Sequence, residues 1–390
     1  MKNSLKILNN LINVFSFSFD MLEPNYKDSI LQIKDIILNS KSKKTLFILI
    51  DAFGYDTFKK SIKDKEIKNI FAKFKVRKVS SVFPTTTAAA ITSIFSGEPP
   101  GKHGIYEWHM YSSKIKMEFK PLMFEAVDEN MQSKFEKVAT KKLVKHKNFT
   151  KELTKNGVEV YQIVPYEIVN SKYSSFGKGK IIGYRNFVEA IIKTKHAIRN
   201  EKKKSFFYLY LPQYDESEHL NSPYSEESIK LAKEILRLLD EEIFSIKGLK
   251  IILTADHGCI EIKKEIKLEN KKWFWKEVWE NLKPCCRRKI LPVGSPRDLF
   301  LHAKKNKIDR VINILKKKIG KYAEIYKTEE LIKIGLFGEK VSRQFKKDIG
   351  NVTILPKDGI LISFYNSEKE TKGMHGGLSK EESFVPLIIK

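Results

Sequence analysis

The chain has 390 residues, 42% hydrophobic and 31% charged, which suits a soluble globular protein of two domains or one large domain with insertions. Its net charge of +26 raises a polyanionic partner, but only nine of its 73 basic residues are Arg and the Lys residues are spread along the whole chain. Nucleic-acid readers lean on Arg, so nucleic acid is not the favoured partner. Three cysteines (Cys259, Cys285, Cys286) without a CxxC pair exclude a zinc ribbon and argue against a disulfide framework.

The first twenty residues are interrupted by Asn9, Asn10 and Asn13 and lack a small-residue cleavage site, so they do not read as a secretory signal. No stretch reaches the ~20 apolar residues of a membrane span, and the expected location is the cytoplasm. Asn25 to Asn39 carries Ile30, Ile33, Ile36 and Ile37 at helical spacing, which predicts an amphipathic helix. Thr45 to Ile50 is a short apolar run ending at Asp51. It reads as a buried parallel strand, and its acid falls where open α/β sheets place ligands. A helix cap is the competing role for Asp51. Residues 56–74 read as one helix.

Residues 81–109 organise the chain. An extended run from Val79 to Phe83 meets Pro84, then three hydroxyls, Thr85, Thr86 and Thr87, then an Ala-rich helical pattern from Ala88 to Phe95 that stops at Ser96-Gly97. Pro disfavours helix in the residue before it, and Gly commonly ends one. The hydroxyls therefore sit at a helix N-terminus, which suits an anionic phosphoryl group. A Thr there can cap the helix or attack phosphorus.

Residues 110–200 read as alternating elements, with a strand at Val158–Val164 and a helix at Phe187–Arg199. Phe206 to Leu211 is another buried strand, followed by Asp215 and His219, four apart. On a helical turn such a pair converges on one ion. Ile229 to Phe244 reads as a helix, and Leu249 to Thr254 as a strand ending in Asp256 and His257. The Lys-rich stretch 262–345 breaks this rhythm. Trp273, Phe274, Trp275 and Trp279 form a local apolar cluster there. A strand at Asp298–His302, a helix at Ile308–Ile319 and a strand at Ala323–Tyr326 suggest a small inserted α+β cap. Gly359 to Phe364 is a strand, and His375 follows between Gly373 and Gly376-Gly377, where glycines allow close backbone approach.

Asp51, Asp215, His219, Asp256, His257 and His375, with the Thr87 hydroxyl, supply ligands enough for two divalent ions. Nitrogen and oxygen donors of this kind suit Zn²⁺, with Mn²⁺ as the alternative. The ordered set resembles the type I phosphodiesterase/nucleotide pyrophosphatase family of the alkaline phosphatase superfamily. The most specific stretch is Phe83-Pro-Thr-Thr-Thr87 through Ser96-Gly97 to His103-Gly104, in which Thr87 lies ten residues before Gly97 and His103 six after it.

The resemblance implies a three-layer α/β/α sandwich around a mostly parallel sheet, with residues 1–261 and 346–390 as the core and 262–345 as the cap. It implies one ion held by Asp215, His219 and His375, and a second held by Asp51, Asp256, His257 and Thr87. It implies a nucleophilic Thr87, a phosphothreonine intermediate and a small-molecule phosphoester substrate, with phosphodiesters or nucleotide-type substrates expected. The chain departs from nucleotide-cleaving members at two positions. Their phosphoryl-binding Asn is Trp108 here, and the Lys before their nucleophile is Thr86. Phosphomonoester or phosphonate hydrolysis on the same site is the alternative reaction. A basic nucleic-acid-binding protein on a dead fold is the alternative of another class, against which all seven ligand positions are filled. No Cys lies near residue 87 and no Gly-x-Ser-x-Gly stands at the turn, which argues against a sulfatase and an acyl hydrolase.

Overall fold

Strand β1 (Lys44–Ile50) is buried on both faces from Leu46 to Ile50, as expected of a central strand covered by helices on either side. The computed structural model describes residues 2–15, 28–143, 147–171, 177–286, 288–365 and 370–390. Around β1 stand β2 (Lys75–Ser80), β3 (Glu159–Pro165), β4 (Lys180–Tyr184), β5 (Ser205–Leu211), β6 (Leu249–Thr254) and β7 (Phe384–Ile389). They form a seven-stranded sheet in the order β2-β7-β6-β1-β5-β3-β4. Lys44 is in register with Ser205 of β5 and with Leu249 of β6, both parallel to β1. Only β7 runs against its neighbours. Right-handed crossovers of parallel strands need helices on the sheet faces, and the Phe187–Asn200 helix packs on β3, β4 and β5 in that manner.

This α/β architecture around a mostly parallel sheet is the expected one, and the strands at 44–50, 159–165, 205–211 and 249–254 fall where the sequence placed them. Other segments differ. The expected helix at Asn25–Asn39 is a 3₁₀ turn at Ile30–Gln32 followed by a short α-helix, Ile33–Leu38. Residues 25–27 lie outside the described residues. The expected helix over 56–74 is two helices, Tyr55–Ser61 and Lys65–Phe71. Asp64 breaks it by accepting the backbone N–H groups of Glu66 and Ile67 as an N-cap. Residues 110–126 do not alternate helix and strand but form a three-stranded antiparallel sheet.

The second large sheet has four strands ordered Val293–Ser295, Asp298–Leu301, Val352–Pro356, Ala323–Lys327, all antiparallel to their neighbours. The Ile308–Ile319 helix covers it with Val311, Leu315 and Ile319 buried. A strand from beyond residue 345 thus stands inside this sheet. His109 pairs with Gly294, so the 110–126 sheet joins the same unit. The Lys2–Phe15 helix packs there too, with Leu11 and Phe15 buried and Asn10 Nδ2 donating to Tyr326 Oη at 2.6 Å. Phe274 and its Trp neighbours pack with Phe364 beneath that sheet, as expected of an apolar cluster.

Candidate metal centre and nucleophile

Adjacent parallel strands β5, β1 and β6 end together, and the residues just past their C-terminal ends are Pro212, Asp51 and Ala255-Asp256. Asp51 N–H donates to Leu211 O at 2.9 Å, carrying the sheet one residue further. Asp215 and His219 lie one turn apart on the Gln213–Asn221 helix, with Asp215 Oδ2 and His219 Nε2 3.2 Å apart. Thr87 begins the Thr87–Ser96 helix, whose first intrahelical bond is Ala90 N–H to Thr86 O at 2.9 Å. The N–H groups before Ala90 are left for a ligand. Gly97 ends the helix at φ +68°, a backbone that favours glycine.

The structure brings all seven expected residues into one centre. His375 Nε2 lies 3.7 Å from Asp215 Oδ1, and His257 Nε2 lies 3.5 Å from both Asp51 Oδ1 and Asp256 Oδ2. Thr87 Oγ1 is 3.1 Å from His257 Nε2. Asp215, His219 and His375 can close on one ion, as can Asp51, Asp215 and His257. Asp215 therefore faces both groups, and Asp256 stands behind the second through its contact with Asp51.

Three imidazoles share one orientation. His219 Nδ1 lies 2.8 Å from Gly373 O, His257 Nδ1 3.1 Å from Gly258 O and His375 Nδ1 3.0 Å from Thr85 O. A carbonyl only accepts, so each Nδ1 carries a hydrogen and each Nε2 is the atom turned to the carboxylates. This is how a protein fixes the tautomer of a metal-ligating His. The carboxylates fit a cation as well. Asp51 Oδ1, Asp215 Oδ1 and Asp256 Oδ2 are buried without a hydrogen-bond partner, a costly arrangement without a positive charge.

Protonation follows the crowding. Burial, then the Asp256 and Asp215 charges, push the Asp51 carboxyl well up. Burial pushes Asp256 up to about 6. Burial pushes His257 down to about 4 and His375 down to about 3, keeping both neutral as ligands must be. Burial would also lower His219, but the Asp215 charge outweighs it and raises His219 to about 9. Burial works against the Asp215 anion, yet His219 and the other imidazoles hold its carboxyl well below the usual range.

Several participants were not legible in the sequence. The Tyr210 hydroxyl, inside β5, donates to Asp51 Oδ2. Thr85 Oγ1 donates to Gly377 O at 2.9 Å and accepts from Gly376 N–H, which ties the His375 loop to the turn before Thr87. Arg297 and Glu382, both fully buried, form a two-pronged ion pair at 3.0 and 2.8 Å, and Glu382 also accepts Gly377 N–H. His103 holds Ser93 of the Thr87–Ser96 helix at 2.9 Å and stays out of the centre.

Beside Thr87 opens a cavity of about 240 Å³, walled by Ile91, Phe95, Trp108, Met123, Tyr208 and Tyr210 among others, with Asp51 and Asp215 also in its lining. Trp108 is 40% exposed at its rim. Among the described residues no helix is long and apolar enough to cross a membrane.

Comparison with known proteins agrees with this geometry. The profile described as type I phosphodiesterase / nucleotide pyrophosphatase matches residues 45–378. Murine ectonucleotide pyrophosphatase/phosphodiesterase 5 superposes with a TM-score of 0.66 at 17% identity, covering 88% of this chain and 87% of that one. The murine protein is also known as an inactive threonine-to-alanine variant in complex with AMP, with the same TM-score, identity and coverage. Phosphonoacetate hydrolase from Sinorhizobium meliloti, solved with phosphonoformate, superposes with a TM-score of 0.62 at 16% identity, covering 88% of this chain and 89% of that one. No curated protein matches the sequence significantly.

Proposed function

The chain belongs to the type I phosphodiesterase/nucleotide pyrophosphatase family, and from that premise we propose that it cleaves phosphodiesters through Thr87 in a two-metal centre. It is an enzyme, a metal-dependent hydrolase of phosphoric esters. The observation that carries the finer reading is the shared imidazole orientation, with three Nε2 atoms turned to three buried carboxylates and Thr87 Oγ1 against one of them, His257 Nε2.

Asp215, His219 and His375 would hold one ion; Asp51, Asp256 and His257, with Thr87, would hold the other, with Asp215 near enough to serve both. The mixed nitrogen and oxygen set suits Zn²⁺, with Mn²⁺ as the alternative. Bound ions would lower the pKa of the Thr87 hydroxyl and offset the charge of the phosphoryl oxygens. Thr87 gives up its hydroxyl proton and its oxygen attacks phosphorus. One P–O bond breaks, an ester bond in a phosphodiester or an anhydride bond in a nucleotide-type substrate, and the leaving oxygen takes up a proton and departs as an alcohol or a phosphate. The first-turn N–H groups of the Thr87–Ser96 helix receive the phosphoryl oxygens. Water then cleaves the phosphothreonine and restores the hydroxyl. An inactive form of the murine relative is a threonine-to-alanine variant, which supports this role for Thr87.

The apolar, aromatic cavity beside Thr87 supports a substrate with an apolar or ring-bearing group next to the scissile phosphate. Trp108 stands where nucleotide-cleaving members carry a polar Asn, and adds a broad aromatic face to the cavity in place of an amide. Three free cysteines agree with a reducing, cytoplasmic setting.

The test is metal content together with turnover of bis(p-nitrophenyl) phosphate and of p-nitrophenyl phosphate. About two zinc or manganese ions per chain and preferential diester cleavage are expected. Thr87→Ala should abolish turnover, by ~10³-fold or more, and keep both ions. Monoester or phosphonate preference would shift the reaction class on the same centre. Full turnover by Thr87→Ala would remove Thr87 as nucleophile.

A further inference from the structure

A second group of acids lies away from the seven ligands, behind the nucleophile loop. Glu107 and Asp298 are fully buried. The side chains facing the Glu107 carboxylate are Asp298, Ser295 and Thr86. One oxygen of each acid is committed. Glu107 Oε2 accepts Trp108 N–H, and Asp298 Oδ1 accepts Ser295 N–H at 3.2 Å and Ser295 Oγ–H at 2.5 Å. The other oxygens, Glu107 Oε1 and Asp298 Oδ2, are buried without a partner. So is Thr86 Oγ1, a neutral hydroxyl 98% buried that lies against Glu107.

Among the described residues no Lys, Arg or His pairs with either carboxylate. Arg297 is adjacent in sequence, but its guanidinium is taken up by Glu382 and by the carbonyls of Pro356, Lys357 and Ile360. Two buried carboxylates without a cation are among the most costly arrangements a fold can hold. A proton shared between them would leave one negative charge buried. A divalent ion cancels both and takes up the bare oxygens together.

The geometry points to a third cation site, formed by Glu107, Asp298 and the hydroxyls of Thr86 and Ser295, that takes a hard divalent ion, Mg²⁺ or Ca²⁺. The donors are all oxygen, unlike the imidazole-bearing centre, and hard oxygen sets select these ions over zinc. The site joins three elements that shape the reaction. Thr86 is the residue before Thr87. Glu107 holds the backbone of Trp108, on the cavity rim. Ser295 and Asp298 press on the His375 loop so closely that a Cβ on Gly376 would stand 2.5 Å from Ser295 Oγ and 3.2 Å from Asp298 Oδ1. The ion braces the nucleophile loop against the second sheet, and its presence does not depend on Thr87 being the nucleophile.

The experiment uses full-length protein already loaded with zinc and adds Tb³⁺, an oxygen-seeking probe whose luminescence is excited through a nearby Trp, here Trp108. A saturable signal is expected, competed by the ion the site prefers, so that Mg²⁺ and Ca²⁺ titrations tell the two apart. Glu107→Gln with Asp298→Asn should weaken Tb³⁺ binding at least tenfold. Trp108→Phe should dim the signal while leaving the metal count unchanged, and Asp215→Asn should leave the signal in place. Equal Tb³⁺ affinity in the double variant would overturn the site. If that variant does not fold, the wild-type count decides. Magnesium or calcium retained after desalting, beyond the zinc, supports the site, and zinc alone overturns it in favour of a proton-sharing acid pair.

Discussion

Asp256→Asn should stabilise the metal-free protein and destabilise the metal-loaded one relative to wild type. Asp256 Oδ1 accepts the backbone N–H groups of Ala52 at 3.2 Å and His257 at 3.1 Å, while Oδ2 is buried without a partner. An Asn keeps the first oxygen and its two bonds, removes the charge, and offers an N–H₂ toward Asp51. Asp256 is raised to about 6 by burial, and a raised acid costs the folded state. The cost is absent below about pH 4, where the unfolded carboxyl is also protonated, grows between about 4 and 6, and is complete above about 7. Holding a carboxyl that far above its ordinary range corresponds to roughly 3 kcal/mol. For a chain of 390 residues that is a melting temperature about 3–4 °C higher.

Metal reverses the order. Binding at a thousandfold excess over Kd adds about 4.1 kcal/mol per site, and the variant forfeits that increment for the ion that Asp256 would help hold, which exceeds the roughly 3 kcal/mol it gains without metal. The assay is a thermal melt at pH 5, 6, 7 and 8, in EDTA and in excess Zn²⁺. A variant less stable than wild type in EDTA at pH 7 would refute the view that these carboxylates are strained until a cation arrives. An advantage in EDTA that grows from pH 5 to pH 7 and is lost in excess Zn²⁺ would confirm both the sign and the cause.

Other outcomes follow from individual contacts. Tyr210→Phe removes the hydroxyl that donates to Asp51 Oδ2 and should weaken metal retention or turnover by ~10–100-fold, read by metal titration and kcat. Trp108→Ala, at an exposed rim position, should change stability by no more than ~0.5 kcal/mol. It should raise KM for bis(p-nitrophenyl) phosphate severalfold with the metal count unchanged. Arg297→Met strands the Glu382 carboxylate in a fully buried place and should cost ~3–5 kcal/mol, seen as a lower denaturant midpoint. Adding Glu382→Gln should recover part of the loss.

The residues of the candidate metal centre were legible because each follows a strong local signal. Asp51 and Asp256 stand immediately after apolar strand-length runs, and parallel strands that neighbour one another deliver their C-terminal ends to one place. Asp215 and His219 needed only a helical turn, which the Gln213–Asn221 helix supplies. Tyr210 was hidden because it lies within an apolar run and reads as core. The carbonyls that orient the three imidazoles belong to Gly258, Gly373 and Thr85, and a backbone carbonyl leaves no mark in the sequence. The break at Asp64 had a signal, an acid two residues before Glu66, but helical spacing continues across it and outweighed the cap.

The second sheet shows where local pattern fails for a physical reason. One inner strand, Val352–Pro356, pairs on one side with Asp298–Leu301 and on the other with Ala323–Lys327, so the last of the four strands in the chain separates the second from the third. Nothing in a short apolar run says which distant edge it will enter, because pairing is decided by burial on both faces once the other strands exist. The same holds for Glu107 and Asp298, which are far apart in sequence yet share one buried space. Backbone geometry and strand ends build the metal centre, and such features survive at 17% identity to a relative that overlays most of the chain. Side chains from one helix, from the strands β3 and β5 and from loops build the cavity beside that centre, from Ile91 and Phe95 to Tyr208, Trp108 and Met123. The fold fixes where these positions stand but not which side chain each carries, which is why the reaction class follows from the family while substrate choice has to be read from the cavity itself.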